Sequence, residues 1–257
     1  MEEVKIREFL FARKVSPELV GRILNFFKQN YHGRQKRVHE QDITFFQDVP
    51  ESMKIRLHEE AYMPLLQASP MFAEFADADF CRPILIQVCH TAFVEEFYLP
   101  QQDVFVDGMP SAGVYYVNAG RLLYTSMHTQ EIQEFHVAPE DWISEMCLWV
   151  RWDHCGQLCA ETSCEITMLD KAKFNAIVCK AGGPFVECLR RFAVFVLGHI
   201  EALDADEAVT DVSLGRETLR QLAIRARRLW ELQNQSRNRG GGAERIGFHS
   251  NVGGLVQ

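Results

Sequence analysis

The side chains best suited to binding a ligand lie within residues 141–166. A helix-like segment begins at Ser144-Glu145, and a loop and a strand-like run containing His154-Cys155 follow it. Backbone N–H groups at the start of a helix are unpaired and partly positive, so they suit a phosphate. A carboxylate such as Glu145 accepts hydrogen bonds from sugar hydroxyls. The alternative is a surface turn between two strands, which this stretch on its own favours.

Metal binding and catalysis have weaker support from the same region. Cys155, Cys159 and Cys164 with His154 suggest zinc, but no C-x2-C pair is present, and strand alternation places Cys159 and Cys164 on opposite faces. His154 or His136 could pair with Cys155, but adjacent strand residues point apart, and no oxyanion or metal motif accompanies them. We therefore predict no metal site, no cofactor and no enzyme activity.

Composition limits the class of protein. The 257 residues are 47% hydrophobic, which predicts a folded chain with a real core, and the net charge of −8 argues against a nucleic-acid binder. The longest apolar run, residues 192–203, is shorter than the roughly 18 residues of a membrane span and contains His199 and Glu201. The N-terminus has no signal-peptide pattern, so we expect a cytosolic polypeptide with reduced cysteines.

Four short helices are predicted in the first ninety residues, and the second of them holds Ile43, Phe45 and Phe46. Ser16-Pro17 is a typical helix start, Asp48 with Glu51 resembles a capping box, and a further helix is predicted to begin at Asp77. The buried face of the helix after Asp48 is predicted to carry Met53, Leu57 and Ala61. The apolar faces are narrow, so these helices are predicted to form a connector that needs a partner surface.

The hydrophobic period changes from helical to alternating at Ala92. Short β-branched and aromatic runs alternate with turn sequences up to Asp170. The runs are residues 92–99, 103–107, 113–120, 121–126, 131–137, 156–161 and 164–170. Seven or eight short strands with tight turns predict a small antiparallel roll or jelly roll.

Helices are predicted again from Lys171. A short one ends at Gly182-Gly183, and a longer one runs from Pro184 to about Leu203. Residues 213–233 form a basic amphipathic helix, for which subunit association, anionic lipid, calmodulin and plain solvation all remain open.

This order of elements resembles the C-linker and cyclic-nucleotide-binding region of voltage-gated-like channels: the cyclic-nucleotide-gated, hyperpolarisation-activated and ether-à-go-go types. Residues 7–33 and 39–60 resemble the linker helices, and residues 65–80 resemble the lead into the roll. Residues 99–122 resemble the glycine-rich signature of the roll, and residues 159–178 resemble the strand and helix after the phosphate-binding cassette.

The resemblance implies an α+β fold: a helical C-linker over residues 1–75 and a jelly-roll-like β-roll with flanking helices over 76–205. The resemblance ends near residue 205, and composition predicts the basic helix over 206–235 and a disordered tail over 236–257. The implied function is the cytoplasmic gating module of a tetrameric potassium or cation channel. Its implied partners are the pore domain and neighbouring subunits, with anionic lipid or calmodulin as candidates for residues 213–233. The implied location is the cytoplasmic side of a membrane, with this chain as a fragment of a longer channel.

Two departures weaken the implied cyclic-nucleotide site. The family has Gly-Glu at the cassette helix and Arg-Thr on the return, where this chain has Ser144-Glu145 and His154-Cys155. Arginine grips phosphate with two parallel bonds, whereas histidine offers one donor and is mostly neutral at pH 7. The expected ligand is therefore cAMP or cGMP bound weakly or not at all, and the implied site residues are Ser144, Glu145, Met146, Cys147, His154 and Cys155. The alternative function is a free-standing cyclic-nucleotide sensor or kinase regulatory-type protein, which would need the missing arginine and no C-linker.

Overall fold

The computed structural model describes residues 2–31, 40–76, 78–128, 131–203, 209–212 and 214–240. N-terminal helices lead into two four-stranded antiparallel sheets, and C-terminal helices follow, so the predicted α+β class is confirmed. The helices are α1 (Glu2–Ala12), α2 (Pro17–Tyr31), α3 (Glu51–Ala68), α4 (Pro70–Phe75), α5 (Arg82–Thr91), α6 (Lys171–Ala181), α7 (Gly183–Glu201) and α8 (Arg216–Gly240).

Seven of the described strands overlap the runs that the alternating pattern predicts, whereas the short strand Trp142–Ile143 was not predicted. The strands are β1 (Phe93–Tyr98), β2 (Asp103–Phe105), β3 (Gly113–Ala119), β4 (Leu122–His128), β5 (Glu131–Val137), β6 (Trp142–Ile143), β7 (Gln157–Ala160) and β8 (Cys164–Asp170). One sheet has the order β1-β8-β3-β6 and the other has the order β2-β7-β4-β5. Because strands that are neighbours in a sheet are often distant in sequence, the loops at each end bring separate segments together.

Two hydrophobic clusters hold the sheets and helices in place. Side chains from both sheets form the first cluster, in which Tyr124 and Leu158 are fully buried. The opposite face of β3 and β8, including Val114 and Leu169, packs in the second cluster with residues of α3 to α8. The strand β3 is therefore buried on both faces, and a helical layer covers the sheet to which it belongs.

The third helix differs from its prediction. Pro50, not Asp48, lies at the N-cap of α3, and no side chain caps this helix end. Met53 is 60% exposed and Leu57 is 40% exposed, so the predicted buried face is wrong. Burial is confined to the second half of α3, at Met63 and Leu66, because only this half packs in the core cluster.

Two helix boundaries also move. The helix predicted to start at Asp77 begins at Arg82, with Pro83 in its first turn as its fixed backbone angle allows, and Asp77 itself lies outside the described residues. The helix predicted over 213–233 runs from Arg216 to Gly240 and so continues into residues 236–240 of the predicted tail. Residues 241–257 lie outside the described part of the chain.

None of the helices within the described ranges is long and apolar enough to cross a membrane.

Candidate functional site

Asp211, in the connection between α7 and α8, places its carboxylate inside the predicted cassette. Among the described residues, five groups donate hydrogen bonds to it. Oδ1 accepts from Ser144 Oγ at 2.9 Å, Trp152 Nε1 at 2.8 Å and His154 Nδ1 at 2.7 Å. Oδ2 accepts from the Cys155 backbone N–H at 2.8 Å and the Tyr124 hydroxyl at 2.9 Å. These bonds enclose the carboxylate completely, since its exposed fraction is 0%.

The Ser144 end of the site is built by an unusual backbone conformation. Ser144 has φ 67° and ψ 26°, in the left-handed region that favours glycine, and a 3-10 helix (Glu145–Leu148) starts directly after it. Its backbone N–H donates to the Asp211 main-chain oxygen at 2.8 Å. Ser144 thus bonds both the backbone and the side chain of Asp211.

The His154 end depends on close packing. The His154 side chain is 1% exposed and stacks on the Phe105 ring, with centroids 3.6 Å apart and planes 4° apart. Because an ionised carboxylate only accepts, Nδ1 must carry the proton that is donated to Asp211. A Cβ on Gly156 would lie 2.5 Å from the Thr125 carbonyl oxygen and 2.7 Å from the Tyr124 hydroxyl. Only glycine at this position lets the chain bring Cys155 and Tyr124 to the same carboxylate.

The electrostatics of the site keep Asp211 ionised. Burial on its own raises the pKa of Asp211, because it penalises the charged form. The hydrogen bonds from His154 and Trp152, the electrostatic attraction to His154 and the Cys155 N–H together outweigh burial, so the Asp211 pKa lies below its ordinary value. Burial also raises the pKa of the Cys155 thiol to about 11, with the Asp211 charge as the next cause, so this thiol stays protonated at neutral pH.

Glu145 points to a different set of partners. Its carboxylate accepts from Ser69 Oγ at 2.8 Å and from Trp142 Nε1 at 2.6 Å, and the residue is 5% exposed. Burial raises the Glu145 pKa above its ordinary value, and the bonds from Ser69 and Trp142 only partly oppose this. Glu145 therefore connects the cassette to the junction of α3 and α4, where Ser69 lies between the two helices.

A cavity of about 240 Å³ lies beside the Asp211 site, and Glu145, Met146, Asp211 and Arg216 are among its lining residues. The Arg216 guanidinium at the start of α8 stacks over Trp142, 4.5 Å from the ring centroid, and donates to the Glu140 carbonyl oxygen at 2.9 Å. These contacts fix the first turn of α8 next to the cavity.

The structure groups only part of the predicted site. Ser144, His154 and the Cys155 backbone surround Asp211, whereas Glu145 bonds elsewhere. Met146 and Cys147 pack in the helical core cluster, and burial raises the Cys147 pKa to about 12.

Three contributors were not predicted from the sequence. Asp211, Tyr124 and the N–H of Trp152 complete the site. The sequence signal that could have pointed to Asp211 was the acidic composition of the segment that precedes it, residues 204–207. Trp149, in the loop between the two ends of the predicted site, packs on Phe192 in the helical core. The described residues contain no group of three or more His, Cys, Asp or Glu side chains that could hold a metal.

Comparison of the chain with protein-family models finds no match, and comparison with curated proteins finds no significant relative.

Proposed function

We propose that this chain is the cytoplasmic gating module of a tetrameric voltage-gated-like potassium or cation channel. In this proposal, residues 1–75 are a C-linker, and the β-structure is a cyclic-nucleotide-binding-like jelly roll whose residues 144–155 are a degenerate phosphate-binding cassette. The module acts on the cytoplasmic side of a membrane and has cAMP or cGMP as a weak ligand at most.

The Asp211 carboxylate carries the proposal. Its donors come from both ends of the proposed cassette, at Ser144 and at His154-Cys155. A cyclic phosphate and a carboxylate are both anions that accept several hydrogen bonds, so the same donors serve either group. Asp211 thus takes the place of the ligand's phosphate, and the site holds its anion without a nucleotide.

The surroundings of the site suggest how its occupancy acts on other elements. Glu145, next to Ser144, accepts a hydrogen bond from Ser69 between α3 and α4. On the other side, α8 follows Asp211, and Arg227 of α8 donates to the Glu74 carbonyl oxygen of α4 at 2.6 Å. A change at Asp211 can therefore bias α4 through the cassette and through α8, provided the two states differ in these contacts.

Exposed apolar side chains on the N-terminal elements support assembly with neighbouring subunits. Phe9, Phe11, Phe45 and Met53 are each more than half exposed. Large apolar side chains exposed on a succession of elements are typical of a surface that another chain covers. Neighbouring subunits and the pore domain are the partners that the proposal assigns to this surface, with anionic lipid or calmodulin as candidates for residues 213–233.

A chimeric channel tests the function. Residues 1–257 replace the cytoplasmic C-terminal region of an ether-à-go-go-type channel, and patch clamp measures the voltage of half-activation for the wild-type module and for Asp211→Ala. We expect tetrameric channels whose half-activation voltage shifts with Asp211→Ala and does not shift with the surface control Asp79→Asn. Conducting channels that respond identically to all three modules would contradict a gating role.

A further inference from the structure

His58 of α3 and His90 of α5 face each other at the point where the linker helices meet the β-structure. Their Nδ1 atoms are 2.9 Å apart. His58 Nε2 lies 2.6 Å from Glu40 Oε2, and His90 Nε2 lies 2.7 Å from Glu51 Oε1. We name these four side chains the histidine junction. It joins the 3-10 helix Glu40–Asp42 and the start of α3 to α5.

Counting protons determines the charge of the junction. Each of the three contacts needs one proton, and ionised carboxylates supply none. Two neutral imidazoles carry only two N–H groups, so one of the three hydrogen bonds would be missing. Two imidazolium rings carry four N–H groups, which would set the two Nδ1–H groups against each other. A pair that holds one extra proton satisfies all three contacts.

We propose that His58 and His90 share a single added proton, and that this proton-binding site is a pH-sensitive joint between α3 and α5. The inference is independent of the proposed channel function, because it depends only on the geometry of the four side chains.

The environment favours the added proton. The charged residues on the 3-10 helix Glu40–Asp42, α3, α5 and β1 are Glu40, Asp42, Glu51, Lys54, Arg56, Glu59, Glu60, Arg82, Glu95 and Glu96. Carboxylates outnumber cations among them, so the local field stabilises one positive charge. Glu59 is paired with Arg82, and the Tyr62 ring lies 5.7 Å from the His58 ring and donates its hydroxyl to Glu95 at 3.4 Å. The two histidine side chains are 13% and 18% exposed, so water can exchange their protons.

The joint should be strongest at an intermediate pH. At higher pH the pair loses the shared proton, and the Nδ1 contact changes from a hydrogen bond to two facing lone pairs. At lower pH the unfolded chain binds two protons on these histidines while the folded chain accommodates one, so stability falls again. An imidazole in water changes charge near pH 6.5, so the maximum should lie between about pH 5 and pH 8.

The test compares thermal unfolding of the wild-type chain with the double variant His58→Asn/His90→Asn across pH 5 to 9. The two asparagines keep polar groups at both Nδ1 positions, but neither can hold an added proton. We expect the wild type to exceed the double variant by about 2–4 °C in Tm at the best pH, with a smaller difference on both sides. The matched control is His199→Asn in α7, which should show no such maximum. A difference that is constant or changes in one direction across this range would overturn the proposal.

A second measurement needs no variant. Long-range ¹H–¹⁵N spectra of the wild-type histidines, at the pH of highest Tm, report which ring nitrogens carry protons. We expect protonated Nε2 on both rings and one proton shared between the two Nδ1 atoms. Two neutral rings, or two full imidazolium rings, would overturn the proposal whatever the behaviour of the double variant.

Discussion

His154 Nδ1 lies 2.7 Å from Asp211 Oδ1, and neither side chain is more than 1% exposed. The pair joins the strand-side end of the cassette to the connection between α7 and α8, 57 residues further along the chain. A hydrogen bond to a buried carboxylate is worth about 1.5–3 kcal/mol, so removing the His154 imidazole should cost about that much stability. The contact thus makes the state of the cassette depend on the position of the segment that leads into α8.

Asp211 should make stability fall in acid. The Asp211 pKa is below its ordinary value in the folded chain, so its contribution is present above the unfolded value of about 3.9 and is lost as pH falls through the folded pKa. At pH 7, Asp211→Asn should reduce the free energy of unfolding by about 1.5–3 kcal/mol. The asparagine NH2 group would face the Cys155 N–H, so two donors would meet where the wild type has a hydrogen bond. Urea unfolding at pH 7, 5, 4 and 3 checks this. A gap between the two proteins that stays constant down to pH 3 would count against an ionised Asp211.

Ser144→Gly and Ser144→Ala should separate strain from hydrogen bonding. Both substitutions remove the bond to Asp211, but only glycine relieves the left-handed backbone, which costs other residues about 1–2 kcal/mol. Ser144→Ala should therefore be less stable than Ser144→Gly by about 1 kcal/mol in urea unfolding. Equal stability of the two variants would mean that the conformation at Ser144 is not strained.

Glu145→Gln and Glu145→Ala should behave differently at pH 7. A glutamine oxygen accepts from Trp142 and its amide donates to the Ser69 oxygen, so every polar group stays paired and the buried charge is removed. Alanine leaves both partners unpaired, at about 1–3 kcal/mol each. Because the Glu145 pKa is raised, the wild type should lose stability relative to Glu145→Gln as pH rises above about 4.3. Urea unfolding from pH 4 to 8 measures this, and a flat difference would contradict it.

Introducing the Arg-Thr pair found in the channel families that the chain resembles should not produce ligand binding while Asp211 is present. In His154→Arg/Cys155→Thr, the new guanidinium lies where the His154 imidazole meets the Asp211 carboxylate, and an arginine there pairs with it. Calorimetry with cAMP should show a gain only when Asp211→Ala is added. A gain in the double variant alone would show that the site lacks donors and is not blocked.

The sequence predicts the helices and strands better than it predicts which side chains contact each other in the folded chain. The alternating pattern located every described strand except β6, and Ser144-Glu145 correctly marked the start of a short helix, because both signals depend on neighbouring residues. The prediction of the buried face of α3 was wrong, since Met53 is exposed. Periodicity identifies an apolar stripe on a helix but does not show which other element covers it. Asp211 was missed because its partners Tyr124 and His154 are 87 and 57 residues away, and only the folded chain brings them together.

The departures at His154 and Cys155 were visible in the sequence, but their consequence was not. The sequence suggested a site with too few hydrogen-bond donors to hold a phosphate. The described residues instead supply five donors, and all five bond the Asp211 carboxylate. Ser144 and Trp152 add hydroxyl and indole donors that no family motif predicts.

The central claim, that the Asp211 carboxylate occupies a nucleotide phosphate site, is tested most directly by calorimetric titration of cAMP into the wild-type chain, Asp211→Ala and the control Asp79→Asn. Circular dichroism first confirms that each protein is folded. The wild type and Asp79→Asn should bind no tighter than about tens of micromolar, and Asp211→Ala should bind at least about tenfold tighter, because the donors at Ser144, His154 and Cys155 become available. Equal affinity in a folded Asp211→Ala protein, or low-micromolar binding by the wild type, would contradict the claim.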